Sequence, residues 1–175
     1  AAAAKDFVMN FPDFGKKASK PTVVKVLYDD EAIYISAFLY DDSVLIKKQF
    51  TSRDNEQFHD VDYFTVEIDP YKDGQNAFQC IVTSVNVQSD VRISSTIIQS
   101  GNGDGNGGFD YNWDAVWDSK TFLKKDGWLV QIKIPYSAIR FAKTNVQDGV
   151  INFSRFISRL NEVSFWNSAN PKLSG

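Results

Sequence analysis

The chain has little of what covalent or metal-dependent sites are usually built from. It contains one cysteine and one histidine among 175 residues. Cys80 therefore has no partner for an intrachain disulfide, and a zinc site built from cysteine and histidine ligands is excluded by count. A Ser-His-Asp triad would have to use His59, and no Gly-x-Ser-x-Gly motif occurs in the sequence. A hydrolytic triad or a zinc centre is not expected, whereas a pair of glycosidase carboxylates stays open among the acidic residues.

Positive net charge and long apolar runs are also missing. The net charge is −3 and the sequence pI is about 5.1, so the chain lacks the overall attraction for phosphate backbones that nucleic-acid-binding proteins have, and we expect no nucleic acid partner. No stretch approaches the roughly 20 apolar residues of a membrane helix.

A length of 175 residues fits one domain. We predict that domain over residues 5–166, with residues 167–175 as a tail or linker.

Alternation of apolar and polar residues dominates the sequence from Thr22 to Leu160. Two such runs, Thr22–Tyr28 and Ala32–Tyr40, flank a short acidic turn and predict a hairpin. Five further strands are predicted at residues 63–68, 77–83, 85–98, 117–124 and 128–135, with a last one at 150–160. About eight to ten strands without interleaved helices indicate an all-β fold: an antiparallel two-sheet β-sandwich of the jelly-roll or immunoglobulin-like kind.

Two arginines have the parity of core residues in the last predicted strand. Arg155 and Arg159 alternate in phase with Phe153 and Ile157, so both guanidinium groups are predicted to point toward the apolar side. Buried cations need partners. One interpretation is that buried carboxylates or backbone carbonyls satisfy them; the other is that they line a ligand groove and bind carbohydrate.

Several segments, in this order and spacing, resemble a known family. They are residues 22–40, Arg53-Asp54, 62–69, 87–90, 113–117, 127–128, 134–141, 152–159 and Glu162. Together they are similar to the family 9 carbohydrate-binding modules, in the version found at the N-terminus of large outer-membrane proteins of Gram-negative bacteria. The segment before Phe11-Pro12 is shorter than is usual in that family, so we expect the full-length protein to extend beyond this chain.

The resemblance implies a function without chemistry. It implies carbohydrate binding by a cell-envelope or secreted domain that takes part in glycan use, with calcium as a structural ion and no catalysis by this chain. Two alternatives stay open. The domain could serve structure or assembly by contacting protein partners of an outer-membrane β-barrel, in the same chain or another, or it could be an accessory domain of a glycoside hydrolase.

Aromatic side chains near a loop are the expected contacts of a sugar ring, because a flat ring packs against the apolar C–H face of a pyranose. If the segment is extended, Tyr111, Trp113 and Trp117 share one face and predict a platform. The alternative is that Trp117 belongs to the core and Trp113 covers a loop. Trp166 is a second candidate ring, and we assign Trp128 to the core because the residues in phase with it are aliphatic.

A glycine-rich stretch supplies the predicted metal site. Asn102, Asp104 and Asn106 place oxygen donors at alternate positions, and Asp110 follows. A tight turn with such spacing can surround a hard cation, so the stretch predicts a calcium site. A solvated glycine-rich loop explains the same residues without a metal.

Overall fold

The computed structural model describes residues 3–50, 53, 60–94, 108–139 and 148–168. Within these ranges the chain forms twelve strands: β1 (Ala3–Ala4), β2 (Val8–Phe11), β3 (Thr22–Tyr28), β4 (Ala32–Tyr40), β5 (Tyr63–Asp69), β6 (Asn76–Thr83), β7 (Gln88–Ser94), β8 (Phe109–Asp110), β9 (Asp118–Lys124), β10 (Gly127–Pro135), β11 (Val150–Ile157) and β12 (Glu162–Phe165). Single 3-10 turns at Tyr136–Ala138 and Ser158–Leu160 follow β10 and β11. In the described ranges no helix has the length and apolar character needed to cross a membrane.

The strands form two antiparallel sheets. The five-stranded sheet has the order β1-β3-β4-β10-β9, and the seven-stranded sheet has the order β2-β12-β11-β5-β6-β7-β8. Each sheet buries one face against the other, as half-apolar strands require. The predicted all-β, antiparallel two-sheet β-sandwich is confirmed.

The first hairpin shows how the local sequence sets the register. Asp29 closes the turn because its Oδ1 accepts hydrogen bonds from the backbone amides of Glu31 and Ala32. This turn pairs Tyr28 with Ile33 and carries the register back to Thr22 opposite Leu39. The predicted bounds of both strands are confirmed.

The core lies between the sheets and consists of the in-phase residues of each strand. The five-stranded sheet contributes Trp128, Val130, Ile132 and Ile134 from β10, all of them buried. Other large core side chains are Trp117, Phe7, Phe64, Phe78, Phe153, Ile35 and Leu39. Trp128 is fully buried, as predicted.

Two strands are shorter than the alternation predicts. β7 begins at Gln88, because Thr83 and Val87 close a tight turn in which the amide of Thr83 donates to the carbonyl of Val87. β11 ends at Ile157, and the 3-10 turn that follows carries Arg159 out of the strand. Residues 95–98 of the predicted strand lie outside the described residues.

Candidate functional site

A groove of about 720 Å³ runs across the outward face of the five-stranded sheet. Its lining side chains come from β3, β4, β10 and β9, which lie next to one another in the sheet. We call this the outer groove. Because the register of these strands is continuous, the outward side chains form straight rows across the sheet. Two of these rows line the outer groove, and a third row lies beside them. The three rows differ in chemistry.

The middle of these three rows is polar and lines the outer groove. Lys25 lies opposite Ser36, Ser36 opposite Gln131, and Gln131 opposite Lys120. We call these four residues the polar row. Within the described part of the chain, the structure records no hydrogen bond or ion pair from any of the four side chains. Their hydrogen-bonding capacity is therefore free for a ligand or water.

The row on one side of the polar row is apolar. Its residues are Val23, Phe38, Leu129 and Phe122. We call it the apolar row. Phe122 is 43% exposed, and Tyr40, on the same face of β4, stacks obliquely on Phe38 with ring centroids 4.6 Å apart. Phe38 and Phe122 each lie two residues along a strand, about 7 Å, from a side chain of the polar row.

The row on the other side carries Tyr34. Its four residues are Leu27, Tyr34, Lys133 and Asp118. The hydroxyl of Tyr34 donates to Oδ2 of Asp29 at 2.9 Å, and Lys133 Nζ lies 5.7 Å from the centroid of the Tyr34 ring. Hydrogen bonds from the backbone amides of Glu31 and Ala32 hold the pKa of Asp29 below its ordinary value, and the bond to Asp29 raises the pKa of Tyr34. Tyr34 is therefore fixed at the rim as a neutral phenol.

A polar pocket of about 420 Å³ adjoins the outer groove, since Asp118 and Ser119 line both. At its centre is Arg53, whose Nη2 donates to Asp90 at 2.7 Å and to Asp114 at 3.1 Å. Asp90 is fully buried and also accepts from the backbone amide of Ala115 at 2.6 Å. The groups of this pocket satisfy one another, so it is a rigid support at the start of β9.

The same pocket brings together segments that are distant in the sequence. Arg53, the turn before β7 and the residues before β9 are among the segments that carry the family resemblance. Gln88 bridges them: its Nε2 donates to Ser119 Oγ at 2.9 Å, and its Oε1 accepts from Arg53 at 3.0 Å. Ser119 in turn donates to Asn86 Oδ1 at 2.9 Å. These residues hold one end of the outer groove in place.

The structure corrects the predicted aromatic platform. Trp117 is only 3% exposed, and its Nε1 donates to Asp90 Oδ1 at 3.3 Å, so its ring belongs to the core. Trp113 is half-buried against Phe78, with ring centroids 4.7 Å apart, and Tyr111 is 38% exposed. The platform fails because residues 111–117 are not a regular strand, so side-chain alternation does not apply.

Trp166 lies away from Trp113. It follows β12, is 39% exposed, and its ring packs on Phe153 of β11 with centroids 5.7 Å apart. Trp113 packs on Phe78 of β6, and β5 lies between β11 and β6. The two indoles therefore do not form one stacking surface through these contacts, and a role for either in binding sugar stays a prediction.

Arg155 and Arg159 are held in a buried ion cluster and do not line a ligand groove. Arg155 is fully buried and donates to the carbonyls of Pro21 and Tyr40 at 3.1 and 3.0 Å. Both Nη atoms of Arg159 donate to the carboxylate of Asp41 at 2.8 Å. The prediction that these arginines bind carbohydrate is therefore corrected, because carbonyls and a carboxylate inside the protein accept hydrogen bonds from their Nη atoms.

Asp41 is the anion at the centre of this cluster. Burial raises its pKa, but the hydrogen bonds and positive charge of Arg159, with the charge of Arg155, outweigh that effect and leave the pKa below its ordinary value. Burial, in contrast, lowers the pKa of Arg155 to about 10. Both side chains therefore remain charged at neutral pH.

The predicted calcium ligands are only partly within the described residues. Asn102, Asp104 and Asn106 lie outside them. Asp110 is described, and its Oδ2 accepts from Arg92 at 3.0 Å while its Oδ1 accepts from the amide of Asn112 at 3.1 Å. A guanidinium at this carboxylate does not fit a cation ligand. The described ranges contain no group of three histidine, cysteine or acidic side chains that could hold a metal ion.

Sequence reasoning did not find the outer groove. Its polar row draws one residue from each of four strands that span Lys25 to Gln131, and only the register brings them together. The available signal was polar residues at solvent-facing positions, such as Ser36 within the otherwise apolar β4. That pattern is also typical of an ordinary solvated sheet face.

Comparison with known proteins supports the fold independently of sequence. No protein-family model matches the chain, and no curated protein matches it by sequence. A candidate carbohydrate-binding protein from Bacteroides uniformis superposes with a TM-score of 0.70 at 10% identity, covering 99% of this chain and 80% of that one.

Two structures of a family 9 carbohydrate-binding module from Caldicellulosiruptor kristjanssonii are also similar. The complex with glucose has a TM-score of 0.61 at 14% identity and covers 97% of this chain and 75% of that one. The complex with cellotriose has a TM-score of 0.57 at 16% identity and covers 94% and 70%. At this identity the likeness concerns the fold: the chain has a fold like that of the family 9 modules.

Proposed function

We propose that this domain binds carbohydrate without chemical conversion, and that the outer groove is its binding site. The observation that carries the proposal is the polar row: four adjacent side chains with free hydrogen-bonding groups lie beside exposed aromatic rings on an open sheet face. Sugar recognition needs both kinds of group. The likeness to a family 9 module whose structures contain glucose or cellotriose supports the same function.

In the proposed complex, each row has a separate task. The apolar C–H face of a pyranose packs against the ring of Phe122, which removes apolar surface from water. The sugar hydroxyls exchange hydrogen bonds with Gln131 and Ser36. The outer groove is open at the sheet surface, so the site suits a segment of a glycan chain as well as its end.

We propose binding rather than hydrolysis because the described residues that line the outer groove include no pair of carboxylates. Glycoside hydrolysis commonly uses two acidic side chains on opposite sides of the scissile bond. Among the described residues that line the outer groove, the single carboxylate is that of Asp118. Asp29 lies at the rim and is already hydrogen-bonded by Tyr34 and two backbone amides.

Calorimetry with a panel of oligosaccharides tests the proposal. We expect Gln131→Ala and Phe122→Ala to weaken binding by about tenfold each, the effect of losing a contact worth about 1.4 kcal/mol. The matched controls are Tyr111→Ala and Trp166→Ala, which remove similarly exposed rings next to strands of the seven-stranded sheet. Binding lost in the controls and kept in Gln131→Ala and Phe122→Ala would move the site to the rings predicted from the sequence. The absence of any glycan binding by the wild-type chain would refute the proposed function.

A second function, assembly with a protein partner, is favoured by the exposed apolar row. Rings such as Phe122 on an open sheet face are also typical of a protein contact. In this alternative the domain contacts an outer-membrane β-barrel in the cell envelope. Crosslinking in envelope fractions, from a photoreactive residue placed at Phe122, would then recover a barrel protein. An uncrosslinked domain that still binds glycan argues for the first proposal.

An exported location is part of both proposals. We propose that the domain works in the cell envelope or outside the cell and takes part in glycan use, as the family resemblance implies. Cell fractionation of the full-length protein tests this: recovery in the cytoplasmic fraction alone contradicts it. Calcium binding by Asn102, Asp104 and Asn106 stays a prediction, and calorimetry with calcium alone tests it.

A further inference from the structure

We propose that the outer groove is selective for acidic glycans, specifically chains that contain hexuronic acid residues. This inference rests on the proposed function and adds the class of sugar. It follows from the two ends of the polar row, which are both lysines: Lys25 on β3 and Lys120 on β9. A neutral glycan would leave both charges without a partner, whereas a uronate carboxylate supplies one.

The charge on this sheet face is unbalanced. The outward positions of β3, β4, β10 and β9 carry four lysines and one carboxylate, Asp118; the lysines are Lys25, Lys120, Lys124 and Lys133. Elsewhere in the described chain, lysines such as Lys16 and Lys72 form ion pairs at 2.8 and 2.9 Å. In the ranges that the structure describes, no ion pair involves Lys25 or Lys120. The chain as a whole has a net charge of −3, so this positive face is a local feature.

The spacing of the lysines matches a ligand with separated charges. Three interstrand steps separate β3 from β9, which places Lys25 and Lys120 about 14 Å apart at the backbone. Ser36 and Gln131 lie between them with free hydroxyl and amide groups. A glycan that crosses the strands along this row would place carboxylates at its two ends and hydroxyls in the middle.

A glycan with one charge per sugar fits better than a denser polyanion. Asp118, in the Tyr34 row, and Asp29, at its rim, place carboxylates beside the lysines, so a ligand with several charges on every unit would be repelled there. Lysine also presents a point charge without the bidentate geometry that arginine offers to phosphate. A uronic acid polymer, with one carboxylate on a sugar that still has apolar faces and hydroxyls, meets both constraints.

The test compares one oligosaccharide with and without its charge. Wild-type protein is titrated by calorimetry with oligogalacturonate and with the same oligosaccharide as its methyl ester, which is neutral. The variant Lys25→Gln/Lys120→Gln removes the two charges of the polar row. The control Lys17→Gln/Lys72→Gln removes two charges from exposed turns of the seven-stranded sheet, so both variants change the net charge equally. Sulfated oligosaccharide and single-stranded DNA are the competing polyanions.

We expect oligogalacturonate to bind, its methyl ester to bind at least tenfold more weakly, and the Lys25/Lys120 variant to lose about tenfold in affinity while the control keeps it. The preference for the charged form should decrease as salt is added. Equal binding of acid and ester overturns the inference and leaves the proposed function standing. Binding of DNA or sulfated oligosaccharide at least as tight as that of oligogalacturonate also overturns it. If no oligosaccharide binds, charged or neutral, the proposed function itself has failed.

Discussion

Arg159 binds both oxygens of the Asp41 carboxylate, with Nη1 2.8 Å from Oδ2 and Nη2 2.8 Å from Oδ1. This bidentate pair lies beside a second, fully buried guanidinium, that of Arg155, 3.5 Å from the same carboxylate. Arg155 also donates to the carbonyls of Pro21 and Tyr40. The buried cluster around Asp41 therefore connects the two sheets. It links β11 and the turn after it, in the seven-stranded sheet, to the ends of β3 and β4 in the five-stranded sheet.

Removing this anion should destabilise the fold strongly. We expect Asp41→Asn to lower the free energy of unfolding by about 3–5 kcal/mol, because Arg155 would keep its buried charge and lose its anionic partner. Urea denaturation at pH 7 measures the change. Asp13→Asn is the control: Asp13 pairs with Lys16 on the exposed surface, and its loss should cost less than about 1 kcal/mol.

The cost of Asp41→Asn should also depend on pH. The pKa of Asp41 is lowered in the folded state, so its contribution is complete above the unfolded-state pKa, about 3.9, and is lost as the pH falls through the folded-state value. The difference between wild type and variant should therefore narrow below about pH 4. If the difference in unfolding free energy between wild type and Asp41→Asn stayed constant from pH 7 to strongly acidic conditions, Asp41 would act through its shape rather than its charge.

Asp62 should have the opposite pH dependence. Its side chain is fully buried, and within the described residues its Oδ2 has no hydrogen-bond partner. Burial raises its pKa, more than the hydrogen bond from the amide of Ser158 lowers it. The unfolded chain therefore loses this proton at lower pH than the folded one does, so the contribution of Asp62 to stability decreases as the pH rises above about 4.

The variant Asp62→Asn isolates this titration. Relative to wild type, we expect it to gain stability between pH 3 and pH 7, by about 1.4 kcal/mol for each unit by which the folded-state pKa exceeds the unfolded one. Urea denaturation of both proteins across that range measures the gain. A stability difference with no slope in pH would contradict the assignment of a raised pKa to Asp62.

Cys80 should be unreactive in the folded protein. It lies in the core on β6, and burial first, then the charge of Asp90, raises the pKa of its thiol far above the ordinary value. The thiolate is the reactive form, so a thiol reagent at pH 8 should label the native chain only at the rate of unfolding. Denaturant should release immediate labelling of one thiol per chain. Rapid labelling without denaturant would mean that β6 opens locally.

Local patterns predicted the strands well and the interactions between them poorly. The bounds of β3 and β4 follow from alternation and from the Asp29 turn, both of which are properties of adjacent residues. The parity of Arg155 correctly placed it inside. Its partner Asp41 could not be found in the same way, because no local pattern links a carboxylate to an arginine 114 positions away in the sequence.

The binding site was harder to predict for the same reason. Trp117 was assigned to an exposed platform because alternation was applied to a segment that is not a strand. Lys25 and Gln131 become neighbours of Ser36 only through the pairing of β3 and β10 with β4. Cross-strand register depends on the whole fold, so a groove built from four strands is visible only once the structure is known.

The location of the site can be tested directly by nuclear magnetic resonance of the labelled domain. We expect added oligosaccharide to shift the amide signals of Lys25, Ser36, Lys120 and Gln131, which belong to four adjacent strands, and to leave those of Trp113 and Trp166 unchanged. Shifts confined to residues 111–117 or to Trp166, with β3, β4, β10 and β9 unaffected, would contradict the assignment of the outer groove as the binding site.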